Sequence, residues 1–430
     1  MQRFEKYSGY KDSGVDWIGD IPAGWEIKKL KYISNIKTGY TPLTSQTNNF
    51  SEDGMIWVKP DNLNGHNPIF DSKEKISENG IKNQNIIPEK SLLVCCIGTI
   101  GKFGIAGVDL VTNQQINSIT FHSSVCADYG KYLISTCESE FSKWANGNVV
   151  RILNTSTQGN IYFPLPPLPE QTAIANFLDE KTTKIDTAIA QKEQMISLLK
   201  ERKQILIQNA VTKGIDPDAQ MKDSGVDWIG KIPVGWKILP NKALFQESKA
   251  GGNDTLPLLS VSLHSGISSG ELGEEENIRG KVKIEDKSSY KLVRPHYIAY
   301  NMMRAWQGAI GAVAVDGMVS PAYVVAIPNE ILINTVYFEL QYRTSSFIQQ
   351  MNRFSKGITD FRKRLYWNEF KQLNTIVPPL GVQQEIVDFI ETQSAKINTS
   401  ITLQQQQITK LKEYKSILID HAVTGKIKVA

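Results

Sequence analysis

The chain contains an internal duplication, which limits its fold more than any other feature. Residues Lys11–Trp25 read KDSGVDWIGDIPAGW, and Lys222–Trp236 read KDSGVDWIGKIPVGW; only Asp20/Lys231 and Ala23/Val234 differ. A second pair of segments repeats at nearly the same separation. One runs from Pro166-Pro167-Leu168 to near Ile215, the other from Pro378-Pro379-Leu380 to near Ile427. Gln171 matches Gln383, Ile174 matches Ile386, Phe177 matches Phe389, and Lys184-Ile185 matches Lys396-Ile397. A chain of 430 residues exceeds one ordinary core. The repeat says how it divides: variable block, helix, variable block, helix.

The second repeat is expected to be helical. Each copy opens with Pro-Pro, which favours an extended entry and ends any preceding strand. From Gln171 to Asn209 neither Pro nor Gly interrupts the chain. Apolar residues fall at Leu178, Ile185, Ile189, Ile196, Leu199 and Leu206, and again at Ile390, Ile397, Ile401, Ile408, Leu411 and Leu418. This spacing of threes and fours is a coiled-coil seam, with polar interruptions at Lys192, Lys203, Gln404 and Lys415. Two such helices in one chain are expected to pair with each other. Topology favours antiparallel pairing, with the variable blocks related by a pseudo-two-fold axis.

The blocks at 26–165 and 237–377 share little sequence, yet both read as mixed α/β. Strands are expected at Met55–Val58, Ser91–Ile97 and Ile116–Phe121, and at Tyr297–Tyr300, Ala309–Val315 and Tyr323–Ile327. Each block then carries a helix, around Tyr129–Trp144 and Thr335–Met351. Polar loops such as Thr112-Asn113-Gln114-Gln115 offer amides that pair with adenine edges or phosphates. The densest basic stretch is Arg343, Arg353, Lys356, Arg362, Lys363, Arg364 and Lys371, interleaved with Phe354, Phe361, Tyr366 and Trp367. Cations beside aromatics suit phosphate and base-edge contact. Lys28, Lys29 and Lys31 form a smaller cluster in the first block.

Several functions are disfavoured. A net charge of +4 permits a nucleic-acid partner without arguing for one. No apolar run approaches the roughly 20 residues that span a bilayer, and the N-terminus lacks a signal-peptide core. Cys95, Cys96, Cys126 and Cys137 form no C-x-x-C pair and read as reduced residues of a cytoplasmic protein. The histidines (His66, His122, His264, His296, His421) have no metal-ligand spacing. Gly98, Gly101 and Gly104 are wrongly spaced for a phosphate cradle, and no Asn/Asp-Pro-Pro-aromatic methylase motif occurs. No catalytic residue, metal site or cofactor is therefore expected in this chain.

The arrangement resembles the specificity (S) subunit of type I restriction–modification systems. The resemblance rests on Pro164-Leu165-Pro166-Pro167-Leu168-Pro169-Glu170-Gln171, on Phe177-Leu178-Asp179 and Ile185-Asp186, and on the duplicated Asp16-Trp17-Ile18-Gly19…Gly24-Trp25. Gly39-Tyr40-Thr41-Pro42, Ile56-Trp57-Val58, Gly98-Thr99-Ile100-Gly101 and Asn113-Gln114-Gln115 add to it. The second copy departs at Gly381-Val382 and at Ser320-Pro321-Ala322-Tyr323, which stands where the first block has Thr112–Gln115. The resemblance implies α/β (α+β) recognition domains at 1–165 and 216–377, and conserved long helices at 166–215 and 378–430. It implies that each domain reads half of a bipartite, asymmetric site in double-stranded DNA, with the helices as spacer ruler. Its implied partners are two methylation subunits, which carry S-adenosylmethionine, and restriction subunits, which use ATP and Mg. The candidate DNA-contacting residues are Lys59, Asn113, Gln114, Gln115, Arg343, Lys356, Arg362, Lys363 and Arg364. The competing reading is a coiled-coil scaffold whose globular blocks bind proteins.

Overall fold

The computed structural model describes residues 4–82, 84–147, 150–252, 255–263, 266–269, 289–357 and 363–429. Contacts divide the chain into two compact units, Met1–Lys192 with Gln406–Ala430, and Glu193–Gln405. Each unit therefore holds one variable block, the start of the long helix that follows it, and the end of the other long helix. The units are not consecutive stretches of chain.

The long helices span Leu168–Lys213 and Leu380–Val423, 46 and 44 residues. Both stop at a glycine in the left-handed region, Gly214 (φ 82°) and Gly425 (φ 74°), a common helix ending because no Cβ opposes it. In the first unit Leu178, Ile185 and Ile189 are buried on one helix, and Ile408 and Leu418 on the other. Leu411 is half-buried between them. Lys415 Nζ donates to both carboxylate oxygens of Asp186 at 2.8 and 2.6 Å, and Lys192 donates to Gln407. Rising numbers on one helix meet falling numbers on the other, so the pairing is antiparallel. In the second unit Ile390 and Ile397 are buried. Ile196, Leu199, Leu206 and Ile401 are half-buried there, and Lys203 donates to Asn398 at 3.1 Å. The polar interruptions of the seam thus include lysines that reach across it to side-chain oxygens.

Both variable blocks are built on the same sheet. In the first the order is Ser34–Thr38, Ile116–Phe121, Leu92–Cys95 and Phe103–Ala106, all antiparallel, with Pro68–Ile69 added parallel at the edge. In the second it is Phe245–Ser248, Tyr323–Pro328, Ile298–Asn301 and Ile310–Ala312, again antiparallel. The central strands are continuous apolar runs buried on both faces, from Leu92 to Cys95 and from Ile298 to Tyr300. Pattern and burial agree although the residues differ.

The block helices differ from expectation: each is broken in two. The first block has Ala127–Ser135 and Glu138–Trp144, the second Thr335–Tyr342 and Ser345–Phe354. A threonine sits at each break. Thr136 Oγ1 donates to the Leu133 carbonyl at 2.8 Å and Thr344 Oγ1 to the Gln341 carbonyl at 2.7 Å, which competes with continuation of the helix.

The near-identical motif folds identically in both copies. Tyr10–Asp12 pairs with Asp20–Pro22, and Met221–Asp223 with Lys231–Pro233. Asp12 and Asp223 accept from the backbone of Gly14 and Gly225 at 2.9 and 2.8 Å, closing Asx turns at glycines with φ of 69° and 72°. The hairpin delivers a buried tryptophan to the end of a long helix. A Cβ on Gly425 would lie 3.2 Å from the Trp25 ring, and one on Gly214 3.3 Å from the Trp236 ring.

Candidate nucleic-acid interface

One end of each sheet carries three chain segments joined by the same backbone hydrogen bonds. In the first unit the Cys96 N–H donates to the Gln115 carbonyl (2.8 Å) and the Leu153 N–H to the Cys96 carbonyl (2.9 Å). Asn146 and Ile152 exchange a pair of bonds of 3.0 and 2.8 Å, closing a loop that follows the second block helix. In the second unit Met302 donates to Ala322 (3.1 Å), Leu365 donates to Met302 (2.9 Å), and Lys356 and Arg364 exchange bonds of 2.9 and 2.8 Å. Gly147 and Gly357 occupy the same place just inside the closed loop, with φ of 132° and 151°. Asn113 Oδ1 accepts from the Gln115 N–H at 3.2 Å, and Ser320 Oγ accepts from the Ala322 N–H at 3.3 Å. Asn113–Gln115 and Ser320–Ala322 are therefore equivalent turns built from different side chains.

The expected contact residues fall on and around these platforms in different states. Gln114 is exposed; its Oε1 accepts from the Thr41 hydroxyl, and its amide N–H group has no partner among the described residues. Tyr40 lies beside it, 43% exposed, on a loop whose backbone bonds Thr112. Asn113 is buried and is spent on its own turn, donating to Gln115 Oε1 at 2.9 Å, so it positions Gln114. Lys59 lies next to the turn, since Asn113 N–H donates to the Val58 carbonyl at 3.1 Å. Its ammonium is held by Glu74 at 2.6 Å and stands over the Trp57 ring at 4.4 Å.

In the second unit Arg343 is drawn inward. It bonds Glu339 Oε1 at 2.9 Å and the Leu263 carbonyl at 2.8 Å, and so fastens a block helix to a loop. Lys356 pairs with Glu369 at 2.5 Å; Lys363 donates to Asn352 at 2.8 Å and stands 5.4 Å over Trp306. Arg364 donates to the Lys363 carbonyl at 3.1 Å. Arg362, with Asp360 and Phe361, lies outside the described residues, as does His264. The Lys28, Lys29 and Lys31 cluster sits at the other end of strand Ser34–Thr38 from Tyr40, where Lys28 pairs with Glu26 at 2.9 Å.

Sequence reading missed the closed loop of the first unit, Asn146–Ile152, and the cation Arg304 on the strand connection of the second. A glycine one step after the first bridged residue, Asn146-Gly147 and Lys356-Gly357, is the one signal that both loops share. Gly98 and Gly101 have φ of 85° and 89° because they turn the connection between Leu92–Cys95 and Phe103–Ala106.

Burial, and then the neighbouring Cys95, push the Cys96 thiol up to about 12. Among the described residues no cluster of His, Cys, Asp or Glu could hold a metal ion, and no helix is long and apolar enough to cross a membrane.

Comparison with known proteins agrees with this geometry. Residues 22–197 match the model of the type I restriction modification DNA specificity domain. The chain is 29% identical over 247 residues to the type I restriction enzyme MjaIX specificity subunit of Methanocaldococcus jannaschii, covering 55% of each chain. It thus spans about half the length of that relative. It is 24% identical over 400 residues to the EcoBI specificity subunit of Escherichia coli, covering 88% of this chain and 81% of that one. The crystal structure of the HsdS subunit from Thermoanaerobacter tengcongensis has the same fold, with a TM-score of 0.55 at 13% identity over 95% of this chain and 98% of that one. Residues 22–197 thus carry the type I restriction modification DNA specificity domain, and the relatives that the chain resembles are type I restriction enzyme specificity subunits.

Proposed function

We propose that this chain gives a type I restriction–modification complex its DNA sequence specificity. Each unit reads half of a bipartite, asymmetric site in double-stranded DNA through its platform, and the long helices set the spacer and dock two methylation subunits. The chain itself supplies no catalytic group. S-adenosylmethionine belongs to the methylation subunits, ATP and Mg to the restriction subunits, and the assembly acts in the cytoplasm.

The observation that carries this reading is the duplicated platform. Two units hold the same backbone ladder and present different side chains on it: Tyr40, Gln114 and Ile152 in one, Met303, Arg304 and Tyr366 in the other. A constant frame with variable tips suits a device that reads two unlike sequences. Base edges carry the information, and the backbone frame fixes register.

The test is adenine-methylation mapping of host DNA with and without this chain, its methylation partner kept present. One bipartite methylated motif is expected to vanish on deletion. Survival of every motif would overturn the proposal and favour a scaffold.

A further inference from the structure

We infer that Arg304 is a specificity-determining residue of the second unit and reads a guanine in its half-site. This rests on the DNA-reading function proposed above.

Arg304 sits on the connection between the central strand Ile298–Asn301 and the edge strand Ile310–Ala312. The equivalent connection of the first unit turns through Gly98 and Gly101 and has no arginine; here the connection carries one, and it is exposed. Its backbone is fixed from several directions. Asn301 Oδ1 accepts from the Met303 N–H at 2.9 Å, Arg304 N–H donates to the Asn301 carbonyl at 3.0 Å, and the Trp306 indole N–H donates to the Met303 carbonyl at 2.9 Å. Met302 is bonded on one side to Ala322 and on the other to Leu365. The tip is therefore held by the platform while the side chain is left free.

The other described cations on these segments are engaged within the unit: Lys356 with Glu369, Lys363 with Asn352, Arg364 with the Lys363 carbonyl. Arg304 has no side-chain partner among the described residues. A guanidinium carried on a rigid tip, its fork of donors unspent, matches the paired acceptors O6 and N7 of guanine in the major groove. Phosphates lie along every sequence, so a phosphate contact from this position would carry no base preference.

The experiment uses the assembled methylase with wild-type chain, Arg304→Ala and Arg304→Lys, and reads the methylated motif by sequencing. The wild type is expected to require a guanine in one half-site. With either variant, preference at that one base pair falls by about ten- to a hundred-fold, and the other half-site is unchanged. Lysine fails to rescue because it lacks the fork. Uniformly weaker methylation with the motif intact, rescued by lysine, would assign Arg304 to a phosphate and overturn the inference. So would a motif and rate that do not change. Absence of any bipartite motif with the wild-type chain would instead sink the functional reading itself.

Discussion

Gln171 and Gln383 occupy the same buried position at the feet of the two long helices and make the same three kinds of hydrogen bond. Gln171 Oε1 accepts from the Cys126 N–H at 2.8 Å, while its Nε2 donates to the carbonyls of Ser124 (3.2 Å) and Pro166 (2.9 Å). Gln383 Oε1 accepts from the Asn334 N–H at 2.8 Å, and its Nε2 donates to Leu332 and Pro378 at 2.8 and 2.9 Å. Each glutamine thus fastens its long helix to the start of the block helix and to the Pro-Pro entry. Tyr129 and Tyr337 tie the other long helix into the same corner. Tyr129 Oη bonds the carbonyls of Pro164 and Val423, both at 3.1 Å; Tyr337 Oη bonds those of Val211 at 3.0 Å and Ile376 at 3.3 Å.

Replacing Gln171 or Gln383 by alanine strands a buried proline carbonyl and removes the side-chain partner of a half-buried N–H and of a second, less buried carbonyl. A cost of about 2–4 kcal/mol is expected for each, read as a fall in Tm of several degrees. A change under one degree would show that water takes over the bonds.

Depth along the helix seam sets a gradient. Leu178 is fully buried, so Leu178→Ala should cost about 3 kcal/mol. Ile196 is half-buried, and Ile196→Ala should cost about 1 kcal/mol. Equal losses in chemical denaturation would contradict the seam as described.

His66 packs against the rings of Phe103 and Tyr132 at 5.1 and 5.0 Å. Burial, and then the charges of Lys415 and Lys131, lower its pKa to about 4, against the opposing pull of Asp186 and Asp179. The unfolded chain binds this proton more readily, so the contribution of neutral His66 is complete above about pH 6.5 and is lost as pH falls toward 4. His66→Phe should therefore flatten the loss of stability across that window, by roughly 2 kcal/mol at its acid end. Thermal melts at pH 7 and pH 5 decide it: an unchanged difference between the two pH values would remove His66 from the account.

A Cβ on Gly147 would lie 2.1 Å from the Val150 carbonyl oxygen, at a φ of 132° that side chains rarely adopt. Gly147→Val should distort the closed loop while leaving the cores intact. Methylation in the assembled complex is expected to fall more than ten-fold with Tm shifted by only a few degrees. Full activity would place this loop away from DNA.

The duplication, the two long helices and their seam were legible because they rest on local chemistry: absence of Pro and Gly, and a spacing of threes and fours. Strands such as Ile116–Phe121 were legible as apolar runs between turns. The candidate site was legible only in part. Gln114, Lys363 and Arg364 stand on the platforms, but charge and polarity alone do not say which side chains are already paired. Arg343 and Asn113 read as contacts, and tertiary neighbours turned both inward. Arg304, a lone cation in an apolar stretch, gave no signal until strand pairing placed it at a tip. That the two unlike blocks share one sheet order was also beyond reach of the sequence. Many apolar sets satisfy the same buried strands, and only the pairing between distant segments shows that these two do.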